Sequence, residues 1–238
     1  MCAAAPSGTD FMADDSDLIA RIEASNDARR KLMIEAIEET GVTDADRFVD
    51  KAIPQSTLFM IDIIPYIHRL YEHLPEGVWK SALDVGPENF GGTNLLASTH
   101  APGTFCRLKL NVTAVDIIDR FSVLRRLVAP SVEFLKQDIF EINDRKWDFV
   151  IASHVIEHVP NPLKFVRQLQ KLANEFVIIA APWQESPLKT PGHINTISKS
   201  LVRQMGARNL TIFTNYTWGK DREVCLFWLP AGNQDDDD

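Results

Sequence analysis

Two groups of residues in this chain can do chemistry: a histidine-rich stretch, and a set of aspartates each placed at the end of an apolar run. The stretch is Ser153-His154-Val155-Ile156-Glu157-His158-Val159-Pro160, followed downstream by Pro191-Gly192-His193-Ile194-Asn195. Imidazole titrates near neutrality, so His154, His158 and His193 are candidate bases for taking a proton from a hydroxyl or an amine. On a helical turn, positions i, i+3 and i+4 share a face. His154, Glu157 and His158 therefore form a candidate divalent-metal set, with His193 as a fourth ligand. The plainer reading of Glu157-His158 is a pair that orders the start of a helix. His68 and His73 fall on a predicted helix and read as surface residues.

The acids sit where a doubly wound sheet would bind a ligand, beyond the carboxyl ends of its strands. One run ends in Leu83-Asp84-Val85-Gly86-Pro87-Glu88-Asn89-Phe90-Gly91-Gly92. Glycine there lets the backbone approach a ligand and turn sharply into a helix. A second run ends in Val115-Asp116-Ile117, and a carboxylate at that place can accept two hydrogen bonds from a ribose diol. A third is followed by Gln137-Asp138-Ile139-Phe140. That pair suits an adenine ring, with Asp138 accepting from the exocyclic amine and Ile139 packing on the face. The competing role for Asp138 is to cap a turn. A fourth run, Trp147 to Ala152, leads directly into Ser153 and the histidine-rich stretch.

These positions need a scaffold, and the periodicity supplies one. Apolar runs at Ala82–Val85, Val112–Val115, Val132–Leu135, Phe149–Ala152 and Phe176–Ala180 alternate with helical segments at Thr93–Ser98, Asp119–Val128 and Pro162–Leu172. This alternation is the signature of βα units and a parallel sheet. Two further β-rich runs, Asn209–Thr214 and Val224–Leu229, read as a hairpin closing one sheet edge. Before them, residues 15–77 read as a helical cap, in which Pro65 is expected to kink or split the third helix. The predicted organisation is a disordered N-terminus (1–14), the cap (15–77), the ligand-binding α/β domain (78–230) and an acidic tail (231–238).

In their order and placement these motifs resemble those of class I S-adenosylmethionine-dependent methyltransferases, of the group with an SHVxEH segment after strand four. The resemblance covers roughly residues 78–230. It implies an α/β fold with a doubly wound, seven-stranded, mostly parallel sheet and a C-terminal antiparallel hairpin. It also implies S-adenosylmethionine as cofactor, with Asp84 and Gly86 shaping the methionine pocket, Asp116 holding the ribose, and Asp138 with Ile139 holding adenine. Pro87, Glu88, Gly91, Ile117 and Ser153 complete the expected cofactor set. The chain departs from the family at the first turn. Gly-x-Gly-x-Gly is usual there, and here Gly86 is followed by Pro87, Glu88, Asn89 and Phe90. That departure predicts a longer, stiffer turn. Some methyltransferases of this kind carry a Glu-x-x-Glu-His metal site after strand four, and here His154 replaces the first Glu. The loop after the fifth run commonly borders the acceptor in this family, which makes Trp183, His193 and Asn195 candidate acceptor contacts, with Tyr66 reaching from the cap.

The expected activity is methyl transfer to an oxygen or nitrogen atom of a small metabolite or sugar-containing acceptor. Its rivals are a non-catalytic methyltransferase-like scaffold and a metal-assisted RNA-end methyltransferase. A nicotinamide oxidoreductase is disfavoured, because its fingerprint needs Gly-x-Gly-x-x-Gly with an acid about 20 residues on, and position 88 is Glu with Asp116 too far downstream. Composition narrows the field further. The chain has 238 residues, 45% hydrophobic and 24% charged, which is globular in balance and long enough for a substantial core. Its net charge of −8 argues against a broad nucleic-acid surface. Three widely spaced cysteines, Cys2, Cys106 and Cys225, give no disulfide framework, and no segment reads as a leader or a membrane span. A cytoplasmic enzyme with a small-molecule acceptor is expected, and apolar positions on the cap are compatible with a homodimer.

Overall fold

In the computed structural model, which describes residues 15–186, 188, 190–215 and 222–232, the apolar runs become strands. These are β1 (Trp79–Val85), β2 (Lys109–Asp116), β3 (Glu133–Lys136), β4 (Trp147–Ser153), β5 (Ala173–Pro182), β6 (Arg208–Thr214) and β7 (Glu223–Pro230). They form one sheet in the order β3-β2-β1-β4-β5-β7-β6. The first five run parallel, whereas β7 pairs antiparallel with both β5 and β6. The expected mixed seven-stranded sheet is what forms. Its order reverses between β1 and β4, and this switch point opens a crevice at the strands' carboxyl ends. The segment expected at 1–14, and residues 233–238 of the tail expected at 231–238, lie outside the described residues.

A parallel sheet covered on both faces needs apolar residues at successive positions. Phe149 and Ile151 of β4 join one core with Ile63 and Ile67, while Val150 and Ala152 join the other with Leu169 and Val202. The covering helices are α1 (Asp15–Glu38), α2 (Ala45–Arg47), α3 (Ile53–Leu70), α4 (Gly91–Thr99), α5 (Ser122–Val128), α6 (Pro162–Leu172) and α7 (Lys199–Gln204). α6 starts where its sequence says it should: the Asn161 side chain accepts from Lys164 N–H at 3.0 Å, and Pro162 occupies the first turn. The split expected at Pro65 does not occur. α3 runs through this exposed residue, held by buried Ile63, Tyr66 and Ile67 around it.

The helical cap is joined to the sheet through the glycine-rich turn. A Cβ at Gly91 would lie 2.5 Å from the Ile53 carbonyl oxygen, and one at Gly92 2.7 Å from that of Ser56. Only glycine lets α3 cross the start of α4 this closely. Asn89 completes the join. Its Nδ2 donates to Ala52 O at 3.1 Å, and its Oδ1 accepts from Ser56 Oγ at 2.6 Å and from Gly91 N–H at 3.0 Å. Among the described residues, no helix is long and apolar enough to cross a membrane.

Candidate active site

At the switch point lies a cavity of about 680 Å³, within the range of roughly 300–1,000 Å³ typical of cofactor sites. Asp84, Gly86, Pro87, Glu88, Asp116, Ile117, Asp138, Ile139 and Ser153 all line it. The aspartates at the carboxyl ends of β1 and β2 and just after β3 thus converge on one crevice. Gly91, also expected there, lies instead beneath α3, where its missing side chain makes room for the helix.

The first turn takes left-handed backbone at alternate residues. Gly86, Glu88 and Phe90 have φ of 71°, 46° and 62°, so the left-handed positions recur at the spacing of Gly-x-Gly-x-Gly. Two of the three left-handed positions are thus held by residues other than glycine. Each non-glycine residue so placed costs about 1–2 kcal/mol. Burial of Phe90, 1% exposed and set edge-on against Phe134 at 5.4 Å, offsets this. Gly86 itself is obligatory, because a Cβ there would lie 2.7 Å from Val155 Cγ2.

The acids are held by short local bonds. Thr93 Oγ1 donates to Asp84 Oδ2 at 2.5 Å, and Ile118 N–H donates to Asp116 Oδ1 at 3.0 Å. Asp138 Oδ1 accepts from Phe140 N–H at 3.0 Å, so this residue does cap a turn while it lines the cavity. Burial pushes the Asp84 carboxyl up to about 6; the Thr93 hydrogen bond opposes the rise and the Asp116 charge adds to it. Burial raises Asp116 as well, opposed by the N–H groups of Ile118 and Ile117. Glu88 faces the cavity mouth, and desolvation followed by the Asp116 charge raises its carboxyl, with His158 opposing.

The histidine-rich stretch bends differently from expectation. His154 adopts φ 57°, a left-handed conformation, before the single 3₁₀ turn Ile156–His158. The kink takes His154 off the face shared by Glu157 and His158. Its ring stacks on Phe59 of α3 at 3.8 Å, with Nδ1 3.4 Å from Glu157 Oε1. Of the four expected ligands, Glu157, His158 and His193 bring their donor atoms within 4.8 Å of one another, without His154. Neither Glu157 oxygen has a hydrogen-bond partner among the described residues, although the carboxylate is 1% exposed. His193 lies behind His158, its ring 4.8 Å away, and pairs through Nδ1 with Glu185. His158 Nδ1 is 2.9 Å from Gly192 O; it must donate to that carbonyl, which leaves Nε2 as the acceptor of the neutral ring.

Asn195, Trp183 and Tyr66, expected to contact the acceptor, do not line this cavity. Asn195 donates to Val159 O at 2.6 Å and fastens the loop to the 3₁₀ turn. Trp183 is buried in the core on the α6 face. Tyr66 is buried outside the cavity and donates to Asn209 O at 3.1 Å. Sequence reasoning missed Gln55, Ser56, Phe59 and Met60, which roof the cavity from α3. Their spacing with Ala52 is that of one helical face, but Gln55 and Ser56 look like solvent-facing residues. Glu185 was also missed, and nothing local in its sequence marks it.

Fold and cavity together define a class I S-adenosylmethionine-dependent methyltransferase. The chain belongs to the methyltransferase-domain family, whose profile, described as "Methyltransferase domain", matches residues 71–215, more than half the chain. No curated protein matches it in sequence. Solved structures share its fold. N-methyltransferase NodS from Bradyrhizobium japonicum WM9, in complex with S-adenosyl-L-homocysteine, aligns with TM-score 0.56 and 10% identity over 84% of this chain and 99% of that one. Magnesium protoporphyrin IX methyltransferase (ChlM) from Synechocystis PCC 6803, with bound S-adenosylmethionine, gives 0.55 and 15% over 94% and 100%. The CurJ carbon methyltransferase gives 0.58 and 12% over 93% and 72%. The cavity suits this cofactor on its own chemistry. Exposed Ile117, Ile118 and Phe140 offer an apolar seat for a ring, the buried Ser153 hydroxyl has no partner among the described residues, and the acids favour a cationic ligand.

Proposed function

We propose that this methyltransferase acts on an oxygen or nitrogen atom of a small metabolite or sugar-containing acceptor, and that it belongs to the SHVxEH group of its class. The observation that carries the reading is the His158 hydrogen bond to Gly192 O, which presents Nε2 as a proton acceptor on a residue lining the cavity. Bound S-adenosylmethionine supplies a methyl group on a sulfonium, open to in-line displacement. Asp116 accepts from the ribose hydroxyls, Asp138 with Ile139 takes adenine, and Asp84 with Gly86 shapes the amino-acid end. His158 Nε2 removes the acceptor's proton, while Gly192 O keeps the ring in one tautomer. Residues 15–77 serve as the acceptor-selecting cap. This assignment is supported by Gln55 and Phe59 on the cavity wall and by the Phe59–His154 stack.

A second reading places a divalent cation on Glu157, His158 and His193, supported by their donor spacing and by a buried Glu157 carboxylate that has no hydrogen-bond partner among the described residues. Such an ion would orient an acceptor hydroxyl. Incubation with methyl-labelled S-adenosylmethionine and a metabolite extract freed of protein and nucleic acid tests the first reading. Label is expected in the low-molecular-weight fraction, and label appearing only when RNA or protein is restored would overturn it. His158→Ala should lower turnover about 10²–10⁴-fold while leaving S-adenosylhomocysteine binding intact. Loss of activity on chelation, restored by one equivalent of metal, would favour the second reading.

A further inference from the structure

A second cluster of ligand-type side chains lies at the opposite end of α4 from the cavity. His68, in the last turn of α3, has its Nε2 2.8 Å from Nε2 of His100, which caps the C-terminus of α4. Cys106 Sγ, on the loop leading to β2, is 3.5 Å from the same His68 nitrogen. All three donor atoms lie within 4.8 Å of one another. Tetrahedral coordination at zinc–nitrogen and zinc–sulfur lengths of about 2.0–2.3 Å puts ligand atoms about 3.3–3.6 Å apart. The sulfur–nitrogen separation already matches, and the two imidazoles need to part by about 0.5 Å.

The second layer is in place too. His100 is fully buried, and its Nδ1 donates to Leu96 O at 2.7 Å. A metal-bound imidazole is oriented by this kind of bond, which fixes Nε2 as the lone-pair nitrogen. The loop carrying Cys106 is held in shape by Lys109, whose ammonium donates to Ala101 O at 3.2 Å and Thr104 O at 2.8 Å. From these observations we propose that His68, His100 and Cys106 bind a thiophilic divalent cation of the zinc class. The site is separate from the methyl-transfer cavity and staples the cap helix α3 to the loop before β2. Coordination forms a metal–sulfur bond and breaks the Cys106 S–H bond, releasing one proton to solvent. The His68 proton moves from Nε2 to Nδ1, the His100 Nδ1–H stays on Leu96 O, and water takes the fourth position.

Cobalt(II) is the probe, added to the full-length reduced protein. One equivalent should bind with a thiolate-to-cobalt charge-transfer band and be displaced by zinc. Cys106→Ser should abolish the band, and His68→Ala should weaken binding at least about tenfold. His193→Ala, in the other histidine cluster, should leave the band unchanged. Cys106 and His68 are not fully buried, so both variants should fold, which circular dichroism verifies. Zinc should also protect Cys106 from alkylation in the wild-type protein, as read by peptide mass mapping. The proposal is overturned by absence of the band in wild type, by a band that survives Cys106→Ser, or by a band that depends on His193.

Discussion

Asp116→Asn tests the proposed hold of this carboxylate on the cofactor ribose. In the wild type, Oδ1 accepts from Ile118 N–H at 3.0 Å, and an Asn carbonyl oxygen can keep that bond. The turn after β2 should survive, and the substitution removes only the charge and one acceptor on the cavity side. A hydrogen bond to a charged group contributes about 1.5–3 kcal/mol, so affinity for S-adenosylhomocysteine should fall about 10- to 150-fold. The lower end is expected, because burial already raises the Asp116 carboxyl and its removal relieves Asp84 and Glu88 of a like charge. Titration calorimetry measures the loss. A 2′-deoxy analogue of the ligand should lose the same affinity against wild type, yet lose little more against the variant, because both changes delete one interaction. Full additivity of the two losses, or a variant within twofold of wild type, would refute the assignment of Asp116 to the ribose.

Three further outcomes follow from the same turn. The raised Asp84 carboxyl takes up a proton in the folded state at a pH where the unfolded chain has lost it, so its contribution to stability is present below about 4 and is lost as pH rises to about 6. Denaturant titrations across that window should show wild type losing about 3 kcal/mol relative to Asp84→Asn, and parallel curves would contradict the burial argument. Phe90→Gly should destabilise the protein in spite of φ 62°, because losing a buried ring costs about 3–5 kcal/mol against about 1–2 recovered from the left-handed backbone. A rise in the urea midpoint would show the reverse balance. Gly86→Ala should lower that midpoint and weaken S-adenosylhomocysteine binding together, since its Cβ meets Val155 at 2.7 Å and φ is 71°; unchanged binding would free this glycine from the cofactor wall.

The sequence by itself determined the layered α/β plan and the placement of the three cavity acids. Runs such as Phe149–Ala152 are apolar on successive residues because both faces are covered, and an acid that follows such a run lands at the carboxyl edge of the sheet. Asp84, Asp116 and Asp138 were legible for that reason. The tertiary structure alone decided the rest. Left-handed geometry at Glu88 and Phe90 is set by the fold, since neither residue type favours it. His154 left the expected ligand face because its own φ turned positive, a property that residue spacing does not encode. Glu185 reaches His193 across a loop, and His68, His100 and Cys106 meet from three separate elements. Side chains distant along the chain become neighbours only when the two cores close around the sheet, and periodicity along the chain carries no record of that closure.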